Sequence, residues 1–434
     1  MTKGINIPAV RWPVTRVDRV ASVNARIGWK ALTAAEYQSD GYVFLATPNI
    51  KEREIDFENV NYISEYRYDE SPDLKLAVGD VLLAKDGNTL GVANVIRRLP
   101  RPATVNGSIA VLRPFGIEPR FLRYVLASTL TQDLIGELKN GMGVPHLFQW
   151  DIKRLPVPLP APKCQQWIAD YLDGETQLID ALIGKRRQMI DRLTERCMSV
   201  MSAGVSGRLT NQGVAQSALP WLETRGSTWH EVKLTLIARL GSGHTPSRGH
   251  PEWWQDCSIP WITTGEVAQM RSDRIEFIHE TREKVSELGV ANSAAEVHRA
   301  GTVVLCRTAS AGYSAIMGEN MATSQDFATW TCGPLLRPRF LLLCLRVMRR
   351  DLLGRLAMGS THKTIYMPDI QALRVPLPPV PEQDVIVDVV WGKLRHVHRL
   401  IDLLQQQVEL LAERRQALIT AAVNGGIDVP GLAA

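Results

Sequence analysis

Several things are scarce in this sequence, and each scarcity excludes something. Aromatic residues make up only 6% of the 434 residues, and no run of apolar residues approaches the length of a membrane span. The most apolar stretch, Phe340 to Leu345, is fenced by Arg339 and Arg346, so no membrane association is expected. The N-terminus, M-T-K-G-I-N-I-P, has no apolar core of a secretory signal. Six cysteines are scattered at 164, 197, 257, 306, 332 and 344 without a C-x-x-C pair. That usage argues against a disulfide framework or a zinc site and suits a reducing compartment. Charge of one sign is not in large excess. Fifty Lys and Arg against 45 Asp and Glu leave +5, which permits nucleic acid as a partner without demanding it.

Catalytic motifs are also missing. There is no G-x-x-x-x-G-K-[ST] phosphate loop, and no N-P-P-Y or D-P-P-F tetrapeptide with which an amino-methyltransferase grips its target amine. The Gly-rich stretches at Asn140 and Leu240 lack the strand–G-x-G-x-x-G–helix setting and read as loops. Pro72-Asp73 and Asp151 with Lys153 mimic fragments of a nuclease pattern, but Asp151 recurs as Asp369 without the lysine and so belongs to a repeat. His396 and His398 are two apart on a helix and point different ways, which makes them poor joint metal ligands. No metal site and no catalytic residue is expected; the chain reads as one that binds and positions.

What is present is a duplication. D-I-K-R-L-P-V-P-L-P from Asp151 and D-I-Q-A-L-R-V-P-L-P from Asp369 lie 218 residues apart, and that offset holds without a gap to Gly207 and Gly425. Trp12 and Trp229 open the two copies. Each copy begins with mixed strand and turn signals. L-A-V-G-D-V-L-L-A-K-D-G-N-T-L-G (76–91) and A-G-T-V-V-L-C-R-T-A-S-A-G (300–312) read as an apolar strand between Gly turns. E-P-R-F-L-R-Y-V-L (118–126) and R-P-R-F-L-L-L-C-L (337–345) start helices with Pro in the first turn. An extended V-P-L-P follows, because proline disfavours helix at the residue before it. A helix of about 40 residues closes each copy, about 60 Å long at 1.5 Å per residue.

A 4–3 spacing assigns a heptad seam in each helix. In the first it runs Ile168, Leu172, Glu175, Ile179, Leu182, Arg186, Met189, Leu193, Arg196, Val200, Ala203. In the second it runs Ile386, Val390, Lys393, Val397, Leu400, Leu404, Gln407, Leu411, Arg414, Leu418, Ala421. The expected fold is therefore two tandem α/β (α+β) domains separated by a pair of long antiparallel coiled-coil helices, with pseudo-twofold symmetry. The expected boundaries are 1–157 and 210–375 for the domains, the latter with its linker, and 158–209 and 376–434 for the helices and the tail. A rigid spacer of this symmetry suits a long, nearly twofold ligand such as duplex DNA.

These motifs resemble those of a known family. Val375 to Pro379, Glu382-Gln383, a long helix, then Glu413-Arg414-Arg415-Gln-Ala-Leu-Ile-Thr-Ala-Ala-Val423-Asn-Gly425-Gly-Ile-Asp428 is similar to the pattern of the specificity subunit of type I restriction–modification systems. The first copy is looser: Lys163-Cys164-Gln165 stands for P-E-Q and Glu195-Arg196-Cys197 for E-R-R, though Thr176 to Asp180 keeps T-x-x-I-D. G-D-V-L-L-A (79–84), S-G-H-T-P-S (242–247) with I-P-W-I (259–262), and G-S-T-H-K-T (359–364) also resemble the family's recognition domains. The resemblance implies a non-catalytic, cytoplasmic prokaryotic subunit without a cofactor of its own. Each domain would read half of a bipartite double-stranded DNA target, and the helices would set the gap. Two methyltransferase subunits carrying S-adenosylmethionine would dock on it, joined by motor–nuclease subunits for restriction. Alternatives are a scaffold that joins two proteins without reading DNA, or a self-contained methyltransferase.

Polar loops on a rigid scaffold are where base and phosphate contacts can project. The candidates for DNA contact are Lys85, Asn88, Thr89, Asn106, Asn140 and His146 in the first domain. In the second they are Ser242, His244, Thr245, Arg248, Arg307, Ser310, Gln325, Thr361, His362 and Lys363. Arg337, Arg339, Arg346, Arg349 and Arg350 form a basic cluster that reads either as a phosphate site or as a solvated helix face. Lys185, Arg186 and Arg187 face either the DNA gap or an acidic partner. The resemblance puts Glu195, Arg196, Glu382, Gln383, Glu413, Arg414 and Arg415 at the partner interface.

Overall fold

Each V-P-L-P segment becomes a short strand that closes its domain against the domain's own beginning. A computed structural model describes residues 10–25, 33–139, 145–210, 213–359 and 363–427. It divides into two compact units, one of residues 1–187 with 406–434 and one of residues 188–405.

In the first unit, β1 (Val14–Arg16) leads into β2 (Ala21–Ala25), β3 (Tyr42–Leu45), β4 (Asn61–Ile63) and the one-turn α1 (Glu65–Asp69). β5 (Val81–Ala84), β6 (Ala93–Val95), β7 (Ala103–Val105) and β8 (Ile109–Pro114) follow. Then come α2 (Pro119–Ala127), α3 (Thr129–Leu138), α4 (Gln149–Arg154), β9 (Pro156–Pro158) and the long α5 (Pro162–Val205). The main sheet has the order β2-β8-β5-β6, a smaller one β4-β3-β7, and β1 pairs with β9. Proline lacks a ladder donor, so β9 is confined to this two-stranded ribbon.

The run Val81 to Ala84 is apolar throughout because both faces of its sheet are covered. Val81 and Leu83 join the core under α2 and α3, whereas Leu82 and Ala84 face the core shared with β3 and β7. Glu118 caps α2 by accepting the Phe121 N–H at 2.8 Å, with Pro119 in the first turn.

The second unit repeats this plan. The ribbon β10 (Val214–Gln216) with β11 (Thr224–Gly226) precedes β12 (His230–Lys233), β13 (Ala238–Ser242), β14 (Ile259–Ile262) and α6 (Val267–Met270). β15 (Phe277–Ile278), β16 (Glu283–Val285), α7 (Glu287–Ala291), β17 (Val303–Cys306), β18 (Ser314–Met317), β19 (Ala322–Thr323) and β20 (Phe327–Cys332) follow. α8 (Pro338–Asp351), α9 (Met367–Gln371), β21 (Arg374–Leu377) and α10 (Val380–Asn424) complete the chain. The sheets are β13-β20-β17-β18-β15 and β16-β14-β19, with β12 paired to β21. Val303 and Leu305 again point to one core and Val304 and Cys306 to the other.

Each unit takes part of both long helices. Ile419, Ala422 and Val423 of α10 join Ile168, Ala169 and Leu172 of α5 in the first unit's core. Cys197, Met201 and Val205 of α5 join Ile386, Val390 and Leu394 of α10 in the second. Within each unit the start of one helix thus meets the end of the other, as antiparallel pairing requires.

The seam itself differs from the expected one. Leu172, Ile179, Leu193 and Val200, and Val390, Val397, Leu404 and Leu411, face inward as the spacing predicts. The alternate positions lie one residue later: Thr176, Ile183, Ile190, Cys197 and Gly204 in α5, and Leu394, Ile401, Val408, Arg415 and Ala422 in α10. Leu182, Met189 and Leu400, placed in the seam by the 4–3 reading, are 40%, 47% and 38% exposed. Apolar residues stand on both sides of the true stripe, so two phases fit the sequence and packing selects one of them. The observed phase carries fewer polar interruptions, Thr176, Arg186 and Arg415.

Gly207 and Gly425 end the helices with φ of +78°. A Cβ on Gly425 would meet Arg11 Cβ at 2.7 Å and the Trp12 ring at 2.9 Å, and one on Gly207 would meet the Gly226 backbone at 2.6 Å. The repeated glycine therefore serves both the turn and a close approach.

Candidate nucleic-acid interface

In the second unit, β13, β20 and β17 lie side by side, and Ser242 pairs with Ala328 while Cys306 pairs with Phe327. The loops after β13, after β17 and before β20 therefore leave the same end of the sheet. They are tied together there. The His244 N–H donates to Thr323 O at 3.0 Å and the Arg307 N–H to Asp326 O at 2.8 Å. Thr245 Oγ1 donates to Gln325 Oε1 at 2.6 Å, and Arg307 Nε to Gln325 O at 2.9 Å. The Ile365 N–H donates to Arg307 O at 2.8 Å, bringing in the loop that carries Lys363. Ser242, His244, Thr245, Arg307, Ser310 and Gln325 thus form one cluster, with His244 and Gln325 exposed.

Asp326, which sequence reasoning missed, organises it. Its carboxylate accepts from Thr308 Oγ1 and, at 3.1 Å, from Ser324 Oγ. Gly243 fits there because a Cβ would lie 2.1 Å from Thr323 O. Arg248 is engaged elsewhere, 3.0 Å from Glu283 and 4.0 Å above the Trp254 ring. Lys363 is exposed and its ammonium donates to Leu353 O at 3.1 Å. Thr361 and His362 lie outside the described residues.

The first unit builds the same junction from other side chains. Ala25 pairs with Ala110 and Ala84 with Ile109, so the corresponding loops leave the same sheet end. The Lys85 N–H donates to Ser108 O at 2.8 Å, as that of Arg307 does to Asp326, and the Leu147 N–H donates to Lys85 O at 2.8 Å, as that of Ile365 does to Arg307. Asp86, also missed, pairs with the Lys85 ammonium at 3.1 Å and with His146 Nδ1. Lys85 is buried and held by this pair, so it is not the free phosphate contact expected from its loop position. Asn106 likewise spends its carbonyl on the Ser108 N–H at 3.1 Å. Asn88 is exposed and Thr89 half-buried, at the tip of the Gly87–Thr89 turn. Asn140 lies outside the described residues.

The basic cluster is largely spent on internal pairs, with only Arg337 and Arg350 of the five exposed. Arg337 pairs with Asp384 at 3.0 Å, and Arg339 with Glu276 at 2.5 Å and Asp388 at 3.3 Å. Arg346 is fully buried and donates to the carbonyls of Asp273 and Ile275 at 2.7 and 2.5 Å. Arg349 makes a bidentate pair with Asp273 at 2.6 and 2.7 Å. Burial holds the Arg346 pKa down at about 10, with nearby Asp273 opposing.

The two units hold the same loop cluster at the same sheet end, and the comparisons agree with that duplication. Residues 10–192 and 226–409 each match the family model described as the type I restriction modification DNA specificity domain.

This chain belongs to the type I restriction modification DNA specificity family.

Its similarity extends over most of its length. A Methanocaldococcus jannaschii chain described as the type I restriction enzyme MjaX specificity subunit is 20% identical over 413 residues, 90% of this chain and 88% of that one. Among solved structures, a chain from a study of complex assembly and conformational transition of the type I R-M system superposes with a TM-score of 0.68 at 18% identity, covering 97% of this chain and 99% of that one. The HsdS subunit from Thermoanaerobacter tengcongensis gives 0.50 at 17% identity, covering 98% and 100%. At these identities the solved structures speak to the fold.

The residues assigned to the partner interface of a specificity subunit fall into two groups. Glu195, Arg196, Glu413 and Arg414 are exposed on the helices. Glu382 is half-buried and accepts from Trp229 Nε1 at 3.1 Å. Gln383 is 0% exposed and cannot reach a partner. Its amide donates to Leu335 O at 2.9 Å and Pro378 O at 2.8 Å and accepts the Arg337 N–H at 2.8 Å. Gln165 does the same with Pro160 O and the Glu118 N–H, both at 2.8 Å. The repeated glutamine is thus a clamp between helix and domain. Arg415 is also turned inward, 2.9 Å from Asp180 on the other helix. Lys185 and Arg187 are exposed, and Arg186 donates to Gln407 at 2.8 Å. Also exposed on the long helices, and not singled out in the sequence, are Trp167 at 49% and its repeat partner Val385 at 59%.

Proposed function

We propose that this chain is the non-catalytic DNA-reading subunit of a type I restriction–modification complex, each specificity domain reading one half of a bipartite target. The observation that carries the reading is the loop cluster built twice on one backbone plan from different side chains. Lys85–Asp86–His146 in one unit stands where Arg307, Thr308 and Thr364 stand in the other, so the two surfaces offer different donors and acceptors. An asymmetric two-part sequence is what two such surfaces would select. Methyltransferase subunits dock on the exposed helix faces around Trp167 and Val385, with Glu195, Arg196, Glu413 and Arg414 at the rim. They bring S-adenosylmethionine, while the chain itself takes no cofactor. Two such subunits match two helix faces, and motor–nuclease subunits join for restriction.

The test is to map methylated adenines on randomised duplex exposed to the chain with its methyltransferase. Two fixed half-sites separated by a constant gap are expected. Methylation without a selected motif would indicate a scaffold that does not read DNA, and methyl transfer by the chain alone would overturn the non-catalytic reading.

A further inference from the structure

Two aromatic residues sit at matched positions beside the loop clusters, and both are left outside the core. Phe148 and Tyr366 are 218 residues apart in the repeat. Each immediately follows a fully buried residue, Leu147 or Ile365, whose N–H donates at 2.8 Å to the carbonyl of Lys85 or Arg307. The backbone therefore fixes each ring one residue from its cluster. Both rings nevertheless stay out of the core, Phe148 at 43% and Tyr366 at 54% exposed.

Local structure does not call for an aromatic here. Phe148 and Tyr366 are the N-cap residues of α4 and α9, and neither makes a side-chain cap hydrogen bond. Ser, Thr, Asp or Asn would hold a helix start better. The apolar staple across each helix start is already made by the residues before and after, Leu147 with Ile152 and Ile365 with Ile370, all fully buried. Two unfavourable choices at one repeated position, each next to a recognition loop, point to a ligand. The surroundings are cationic or amphipathic. His146 packs edge-on to Phe148 at 4.6 Å, the Phe148 ring stacks at 6.4 Å on the exposed Trp150, over which Arg154 lies at 5.1 Å, and exposed Lys363 precedes Tyr366 by three residues.

We propose that Phe148 and Tyr366 are DNA-contacting residues, each laying its ring against a sugar or base face at its half-site and adding affinity without reading sequence. This inference rests on the DNA-reading function proposed above. A π face accepts any base, and a neutral ring displaces no counterions, so the contact has a signature that separates it from a phosphate contact.

The experiment uses the complex of the full chain with its methyltransferase and measures duplex affinity over a salt series, with thermal unfolding in parallel. Phe148→Ser and Tyr366→Ser introduce better N-caps. Each is expected to keep or raise the melting temperature while weakening DNA binding about ten-fold. The slope of log affinity against log salt and the selected half-sites are expected to stay unchanged. Tyr366→Phe and Phe148→Tyr, which keep the ring, are expected to bind like the original. Serine variants that bind DNA normally would overturn the inference while leaving the proposed function standing. So would a loss of affinity accompanied by an equal loss of stability, or a shallower salt slope. An unaltered complex that binds no duplex would overturn the proposed function and this inference with it.

Discussion

Single side chains in this protein do more holding than their sequence context suggests. Gln165 and Gln383 look like surface residues of a partner motif, yet their side chains make two and three hydrogen bonds inside their units. Gln383→Leu keeps the volume and strands two carbonyls and an N–H, so unfolding stability should fall by roughly 1–3 kcal/mol. Chemical denaturation checks this, and an unchanged midpoint would contradict the clamp. His298 is another buried polar group. Burial pushes its pKa below the ordinary imidazole value, with Glu296 opposing and Arg239 assisting. The unfolded chain therefore takes up a proton as pH falls through about 6.5, and the native state does not. The contribution of His298 is constant above that pH and declines below it, by at most about 1.4 kcal/mol per pH unit, until the folded pKa is reached. A melting series between pH 7.5 and about 5 should show this decline, and His298→Gln should make it shallower, with His398, whose pKa burial also lowers, supplying the remainder. The sequence identified the residues of the recognition loops as polar and projecting. It could not tell which were free, because the fold chooses the partners: Asp86 takes both its neighbour Lys85 and the distant His146, and Thr245 is held by Gln325 from another loop.

At the scale of elements, the two long helices repeat their lengths and ends but not their seams. Position 415 is an arginine paired with Asp180, whereas its repeat partner Cys197 is buried in an apolar core and the counterpart of Asp180 is His398. Arg123 and Tyr124 have Leu342 and Leu343 as counterparts, so the helix–domain junction is polar in one unit and apolar in the other. Burial raises the Tyr124 pKa to about 12, and its hydroxyl donates to Asp173 at 2.7 Å. Glycines within α5 test the observed seam directly. A Cβ on Gly204 would lie 2.6 Å from Val390 Cγ2 and 3.2 Å from Ile386 Cγ2. Gly204→Ala should therefore destabilise by about 1–3 kcal/mol through overpacking. Gly184 is exposed and a Cβ there would meet nothing within 4 Å, so Gly184→Ala should stabilise by about 0.5–1 kcal/mol. Thermal melts of the two variants should move in opposite directions; a shift of the same sign would mean that the seam is elsewhere.

For the whole molecule, α5 and α10 each contribute residues to both compact units. If the helices set the gap in the DNA target, inserting seven residues, about two turns, into only one of them should break their register and lower complex formation. A matched insertion in both should lengthen the gap between methylated half-sites, and a gap that stays fixed would refute the ruler. The duplication, the two-domain α/β architecture, the extended V-P-L-P strands and the long helices were all legible in the sequence. They rest on short-range constraints: proline geometry, strand-length apolar runs, heptad-like spacing and a repeat offset of 218. Tertiary structure alone decided the phase of the seam, the burial of Gln383 and Arg415, and the gathering of the loops at one sheet end around Asp86 and Asp326. The reason is physical. A helix with apolar residues on both sides of a stripe leaves two phases open until a partner surface covers one. A polar side chain becomes a clamp or a contact only according to which distant carbonyl, carboxylate or N–H the fold brings to it.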